Sequence, residues 1–228
     1  MKKIAIILSL IIFGLVPVAG IAKDKKEIPE YTVEGLKRVH DTTGMAYVWA
    51  EEGADLAQYD RVYLVEAYVA FKKNWQRDHN RNTTNMVRSS DMDRIITDVK
   101  KIFMEVFTEE LEAGGYTLAN ERAEDVLIVK PAILDLDVNA PDIMSANRSA
   151  TYASSAGSMT LYVEIYDAVT DDLIAKALDP VAGRQSGFMQ FQSGPANRAA
   201  AKRMMRPWAK SLRVALDRAR ETTRQEEE

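Results

Sequence analysis

The chain has 228 residues, with 30 basic and 34 acidic side chains, two histidines and no cysteine. The missing cysteine excludes disulfides, thiolate metal sites, cysteine nucleophiles and a lipid-bearing cysteine. The acidic balance gives no support for nucleic-acid binding, which needs a basic surface, and the length suits one domain with its own core.

Residues 1–22 read as a signal peptide. Lys2 and Lys3 precede an almost wholly apolar run from Ile4 to Val18, and Gly20 and Ala22 supply the small-x-small site. Cleavage is expected near Ala22, giving a periplasmic or secreted protein. An uncleaved anchor helix is the alternative, although the run is near the short end for a span and Gly14 and Pro17 weaken it. No later apolar run is long enough to span a membrane.

Residues 23–56 are polar with scattered aromatics, Tyr31, Tyr47 and Trp49, and read as an extended arm lying against the domain. Residues 57–222 form that domain. Tyr59 to Phe71 is apolar on both faces and predicts a central strand. Lys72 to Ser89 is polar with no apolar period and reads as a long loop, or a loop plus a short hairpin extension. Asp91 to Ala113 carries a continuous apolar stripe from Met92 to Leu111 with Asp98, Lys101, Glu105, Glu109 and Glu112 opposite, so it predicts an amphipathic helix. Ser90 is placed to cap it with Asp93 three residues on, and Gly114-Gly115 to stop it.

Asp125 to Asn139 predicts a strand with a bulge or an edge at Pro131. Ala140 to Gly157 is a second long loop. Ser158 to Ala168 alternates, with Met159, Leu161, Val163 and Ile165 on one face, and Leu173 to Val181 returns as its hairpin partner. Gly183 to Gly194 is a third long loop. A last amphipathic helix runs from Pro195 to about Thr222, kinked or split near Arg206 by Pro207. Residues 223–228 are an acidic tail read as disordered. The order β-α-β-β-β-α predicts an α+β two-layer sandwich: a mixed, mostly antiparallel four-stranded sheet with two amphipathic helices on one face.

Trp49-Ala50-Glu51-Glu52-Gly53-Ala54-Asp55-Leu56 leads into Tyr59-Asp60-Arg61-Val62, and Gly115-Tyr116 precedes Asp125-Val126-Leu127. Gly157-Ser158-Met159-Thr160-Leu161 then leads to Glu164-Ile165-Tyr166-Asp167 and Asp179. From about Gly44 to Arg220 the chain resembles an uncharacterised family of Gram-negative envelope lipoproteins, catalogued as domain of unknown function three-three-one-three. The resemblance implies an envelope location and a fold. It brings no catalytic residues, and the lipid-accepting cysteine usual in such lipoproteins is missing here.

Asp135-x-Asp137-x-Asn139 imitates the opening of a calcium loop, but Ala140 and Ala146 stand where that loop needs glycine and glutamate. On a strand the three side chains share one solvent face. His40 and His79 have no metal-ligand spacing, and Gly183-Arg184-Gln185-Ser186-Gly187 lacks the phosphate-loop lysine. No cofactor or metal is implied.

If the first two strands are parallel, the three long loops converge at one pole. Long loops on a rigid sheet are where binding residues concentrate. The convergence would gather Trp75, Arg77, Arg81, Arg88, Arg148, Tyr152, Arg184, Phe188 and Phe191. Arginines among aromatics suit an anionic partner, because the guanidinium fork matches carboxylate or phosphate. The favoured function is a non-catalytic envelope protein binding an envelope protein, lipid head group or cell-wall polymer there. The alternative is an envelope hydrolase drawing on Glu66, Asp135, Asp137 and Asp142 in a cleft, which would need those acids to converge.

Overall fold

A computed structural model describes residues 28–40, 44–81, 86–139, 151–153, 157–183, 190–192 and 194–226. In chain order the elements are strands β1 (Lys37–Val39), β2 (Tyr47–Ala50), β3 (Arg61–Leu64) and β4 (Tyr68–Phe71), then helices α1 (Trp75–Asn80) and α2 (Ser89–Ala113). Strands β5 (Thr117–Leu118), β6 (Val126–Val138), β7 (Thr151–Ala153), β8 (Gly157–Asp167), β9 (Leu173–Ala182) and β10 (Gln190–Gln192) precede helix α3 (Gly194–Glu226).

The sheet is larger than the four strands expected, and its order differs. Among the described residues eight strands form one open sheet, β1-β2-β9-β8-β6-β3-β5, with β4 also beside β6. The extra strands have three sources. The 31–56 segment supplies β1 and β2, which extend the sheet from β9. The predicted first strand divides into β3 and β4, and two residues after Gly115 form β5 against β3. β3 and β6 are parallel, as the crossover through α2 requires. β8 and β9 form the expected hairpin.

Pro131 sits in a central strand, where the sequence suggested an edge or a bulge. Val65 donates its backbone N–H to the Val129 carbonyl at 2.9 Å. Alternation then turns the backbone groups of Pro131 toward the same side. The donor that proline lacks therefore faces the stretch between Leu64 and Tyr68, where the neighbouring strand is itself interrupted. The bulge falls later: the register shifts between Leu134 and Asp137, and Asp135 has a left-handed φ of 49°. The extra residue lets Ile133 and Leu136 both enter the core, and it breaks the shared face expected for Asp135, Asp137 and Asn139.

Helices α2 and α3 cover one face. Phe103, Phe107 and Leu111 from α2, and Met205, Trp208, Ala209, Leu212 and Leu216 from α3, join Leu127, Val129, Ile133, Leu161 and Val163 in one core. Phe103 and Phe107 stack at 4.0 Å between centroids. α3 is a single helix through the exposed Pro207, not two, and it continues to Glu226, into the expected tail. At the α2 start, Asp91 rather than Asp93 closes the cap, accepting the Arg88 backbone N–H at 3.0 Å. At its end Gly115 takes a left-handed φ of 82° while Tyr116 N–H reaches back to the Leu111 carbonyl at 3.0 Å.

The polar stripe of α2 faces a partner. Asp98 pairs with Arg198 at 3.5 Å, Glu105 with Lys202, Glu109 with Arg206 at 3.6 Å and Glu110 with Arg213 at 2.9 Å. Both numbers rise together, so α2 and α3 are parallel and start at the same end of the sheet. Each pair is partly exposed and contributes at most about 1 kcal/mol; together they fix the register of the two helices. On the opposite sheet face Glu164 accepts the hydroxyls of Tyr162 (2.5 Å) and Tyr166 (2.7 Å), and Lys176 reaches Glu34 (2.6 Å) and Glu164 (3.3 Å). Pro29 and Glu34 are held at this face, Trp49 Nε1 donating to the Pro29 carbonyl at 2.9 Å and Lys176 meeting Glu34.

Candidate functional site

Chain geometry makes the two ends of the sheet unequal. At one end β4 and β6 finish, β8 starts, and α2 and α3 begin. A cavity of about 350 Å³ opens there between the two helix starts and the sheet, with Arg94, Asp98, Asp137, Ser158, Asn197 and Arg198 among its walls. Its floor is apolar, from Ile95, Val99, Ile102, Leu136 and Met159. This is the usual make-up of a ligand pocket: mostly apolar with a few converging polar groups.

The residues beside this cavity are arranged by the 72–89 segment. The expected loop contains α1, which stacks Trp75 on Phe71 (4.4 Å) and on His79 (5.3 Å). Asn80 clasps Val87, accepting its N–H at 2.8 Å and donating to its carbonyl at 2.9 Å, and Gln76 donates to that carbonyl at 3.0 Å. Burial lowers the His79 pKa, with Asp137 opposing the shift, so its imidazole is held toward the neutral form. A second cavity of about 200 Å³ lies beside it, between Lys72, Lys73, His79, Asp137 and Asn139.

Of the arginines expected at this pole, Arg77, Arg81 and Arg88 are exposed in the 72–89 segment. Trp75 is buried, 6 % exposed, so it packs the pole from within and offers no open ring face. Tyr152 and Phe191 are register partners in the two-stranded sheet of β7 and β10, which joins the second and third long loops. Arg148, Arg184 and Phe188 lie outside the described residues. Arg94, Asp98 and Arg198 were missed in the sequence. Their signal was position within the first three turns of the amphipathic helices, at the end where the long loops emerge.

Among the described residues, the acids considered for hydrolysis do not line one cavity together. Glu66 is paired with Lys100 on α2, Asp137 with Lys72 at 3.1 Å, and Asp135 is exposed at the bulge. Asp142 lies outside the described residues. Among the described residues no three histidine, aspartate or glutamate side chains are grouped to hold a metal ion, and no helix is long and apolar enough to cross a membrane.

Gly157 fixes the first residue of β8 at the cavity wall. Its φ is 134°, and a Cβ there would lie 1.8 Å from the Asp137 carbonyl oxygen. The Gly183 N–H also donates to the Gly157 carbonyl at 2.7 Å, tying the ends of two long loops together.

Residues 20–212 match the family model described as "Protein of unknown function (DUF3313)". No curated protein matches the chain. Among solved structures, the PelC dodecamer from Paraburkholderia phytofirmans is 13% identical, over 73% of this chain and 96% of that one, with a TM-score of 0.36. Protein XCC0632 from Xanthomonas campestris is 11% identical over 77% and 93%, with a TM-score of 0.42. A putative neuraminyllactose-binding hemagglutinin homolog from Helicobacter pylori is 12% identical over 74% and 91%, at 0.34. Likeness at these TM-scores does not define a shared fold.

Proposed function

This chain belongs to the DUF3313 family, and we propose that it is a non-catalytic protein of the bacterial cell envelope that binds an anionic partner at the long-loop pole. The observation that supports this reading is the cavity between two parallel helix starts with Arg94 and Arg198 in its wall. A helix start presents unsatisfied N–H groups and the positive end of the backbone dipole. Anions are favoured there and cations are not, so helix stability alone would place acidic residues in those turns. Arg88 stands at the cap of α2, whose first turn holds Asp91, paired with Arg94 of the next turn at 3.4 Å, whereas the first turn of α3 holds no acid and is followed by Arg198. The partner is a lipid head group, a cell-wall polymer or an acidic protein segment, met by Arg77, Arg81 and Arg88 with Arg148 and Arg184 of the long loops. Export follows from the leader of residues 1–22.

The test is co-sedimentation of the mature chain with phosphatidylglycerol vesicles and with isolated cell-wall sacculi, at low and high salt. Retention by one of them that falls with added salt is the expected result, because these contacts are exposed and screened. Replacing Arg81 and Arg184 by alanine should abolish retention while the unfolding midpoint stays unchanged. Equal retention of wild type and variant would leave the pole as scaffold.

A further inference from the structure

The larger cavity at the helix starts has its charged walls matched within the chain. Arg94 meets Asp91 at 3.4 Å, Arg198 meets Asp98 at 3.5 Å and Lys72 meets Asp137 at 3.1 Å. The smaller cavity, of about 200 Å³, is different: Lys72, Lys73, Asp78, His79, Asp137 and Asn139 line it. Both of its acids are engaged, Asp78 by Arg77 at 2.9 Å and Asp137 by Lys72. Two other groups are not matched in this way. Lys73 is exposed and has no ion pair among the described residues. His79 is half-buried and stacked on Trp75, and neither ring nitrogen has a hydrogen-bond partner among the described residues. A polar edge held partly out of water without a partner carries a desolvation cost that a ligand can offset. Asn74 turns the chain with a left-handed φ of 62°, which sets Lys73 and α1 around the same space.

We infer that this smaller cavity seats one phosphate group, received by the Lys73 ammonium and a ring nitrogen of His79. The inference rests on the reading of the pole as anion-binding and names the anion. The space equals about seven waters at ~30 Å³ each, enough for a phosphate group. A protein helix, roughly 10 Å across, is too wide for it. A metal ion needs grouped ligands, and among the described residues no three histidine or acidic side chains are grouped to hold one. A carboxylate is matched best by the planar fork of an arginine, and no arginine lines this cavity. Lysine binds phosphate as a point charge, and the several phosphate oxygens can be met from two sides of the space at once. The charged groups around His79 are Lys72, Lys73, Arg77 and Asp78 from its own segment and Asp137 from β6. Burial holds the imidazole toward the neutral form, against Asp137, so it titrates below the ordinary 6.5. As pH falls through that lowered value the ring takes up a proton and stands beside Lys73 as a second charged donor. Phosphate binding therefore tightens on acidification.

The experiment titrates the mature chain with dimethyl phosphate, whose single charge is constant, and with inorganic phosphate. Affinity is read by calorimetry at about pH 5 and about pH 8, the limits of histidine titration, and the His79 ring protons are followed by NMR. Dimethyl phosphate should bind more tightly at the lower pH and should raise the pH at which His79 titrates, the reciprocal of the same linkage. Lys73→Ala should weaken binding about tenfold at both pH values, the loss of one charged hydrogen bond. His79→Gln should flatten the pH profile. His79→Phe keeps a ring on Trp75 while removing both nitrogens, and it should flatten the profile if His79→Gln disturbs α1. Phosphatidylglycerol vesicles distinguish the sources: retention lost in Lys73→Ala assigns the seat to a lipid head group, and retention unmoved with soluble phosphate bound assigns it to free phosphate. Equal affinity at both pH values, or binding that survives both Lys73→Ala and His79→Phe, overturns the inference. Wild-type retention on vesicles or sacculi without binding of either soluble probe overturns this seat alone. Phosphate binding without retention on either surface removes the proposed partner and leaves the seat.

Discussion

The two ends of the sheet are built by opposite rules. At the short-turn end almost every polar group near the sheet is committed. Arg61 grips Asp125 through two bonds of 2.7 and 2.6 Å, and Tyr59 donates to Asp167 at 2.8 Å. Asp167 also accepts the backbone N–H groups of Val169 and Thr170, which shapes the β8–β9 turn. Arg122 holds Asp171, Arg220 holds Asp60 and stacks over Tyr116 at 3.9 Å, and Tyr116 donates to Asp217. Burial and the hydrogen bond to Asp217 push the Tyr116 pKa up to about 12, so the phenol remains a donor. At the long-loop end the cations Arg77, Arg81 and Arg88 are exposed, and two cavities that share Asp137 and Val138 open there. One end spends its charges on holding strands together. The other pairs its charges with near neighbours, Arg77 with Asp78 at 2.9 Å and Lys72 with Asp137 at 3.1 Å, and keeps them at the surface beside a cavity with an apolar floor.

The strongest way to break this contrast is to remove what both ends stand on. Phe103 is fully buried and stacked on Phe107. Phe103→Ala should cost about 3–5 kcal/mol, a large part of a domain's stability. Urea unfolding is the measurement, and a loss under about 1 kcal/mol would show that the helix layer does not depend on that ring.

A smaller change should strike the long-loop end alone. Gly157→Ala places a methyl carbon against the Asp137 carbonyl, and backbone must shift to relieve it. The expected cost is about 1–3 kcal/mol, with the change confined to residues lining the cavity. Amide hydrogen exchange should show faster exchange at Val138 and Ser158 and unchanged exchange around Asp125. Uniform change throughout the sheet would mean that the two ends are not separable.

The smallest effect compares one polar contact from each end. Tyr59→Phe removes the hydroxyl that Asp167 accepts and should cost about 1 kcal/mol. Lys72→Ala at the other end removes an exposed partner of Asp137 and should cost less, between zero and about 1 kcal/mol. If Lys72→Ala proves the more damaging of the two in paired unfolding curves, the long-loop end is structural after all.

What could be read from the chain alone was set by local period. The stripe from Met92 to Leu111 and the alternation from Met159 to Ile165 each name their buried face, because a helix repeats every 3.6 residues and a strand every two. Gly115 stops α2 where a left-handed residue is needed, and the parallel pairing of β3 with β6 follows from the handedness of the crossover. Period does not carry partner identity. Val48 and Trp49 read only as part of an extended arm until β9 supplies the hydrogen bonds that make them strand. Asp98, Glu105 and Glu109 look solvated until α3 lies alongside. Asp135 looks like one of three acids on a face until the bulge at that residue turns Leu136 into the core. The cavity at the helix starts depends on where two helices stop covering eight strands. That is a difference between layer areas, and only the assembled layers contain it.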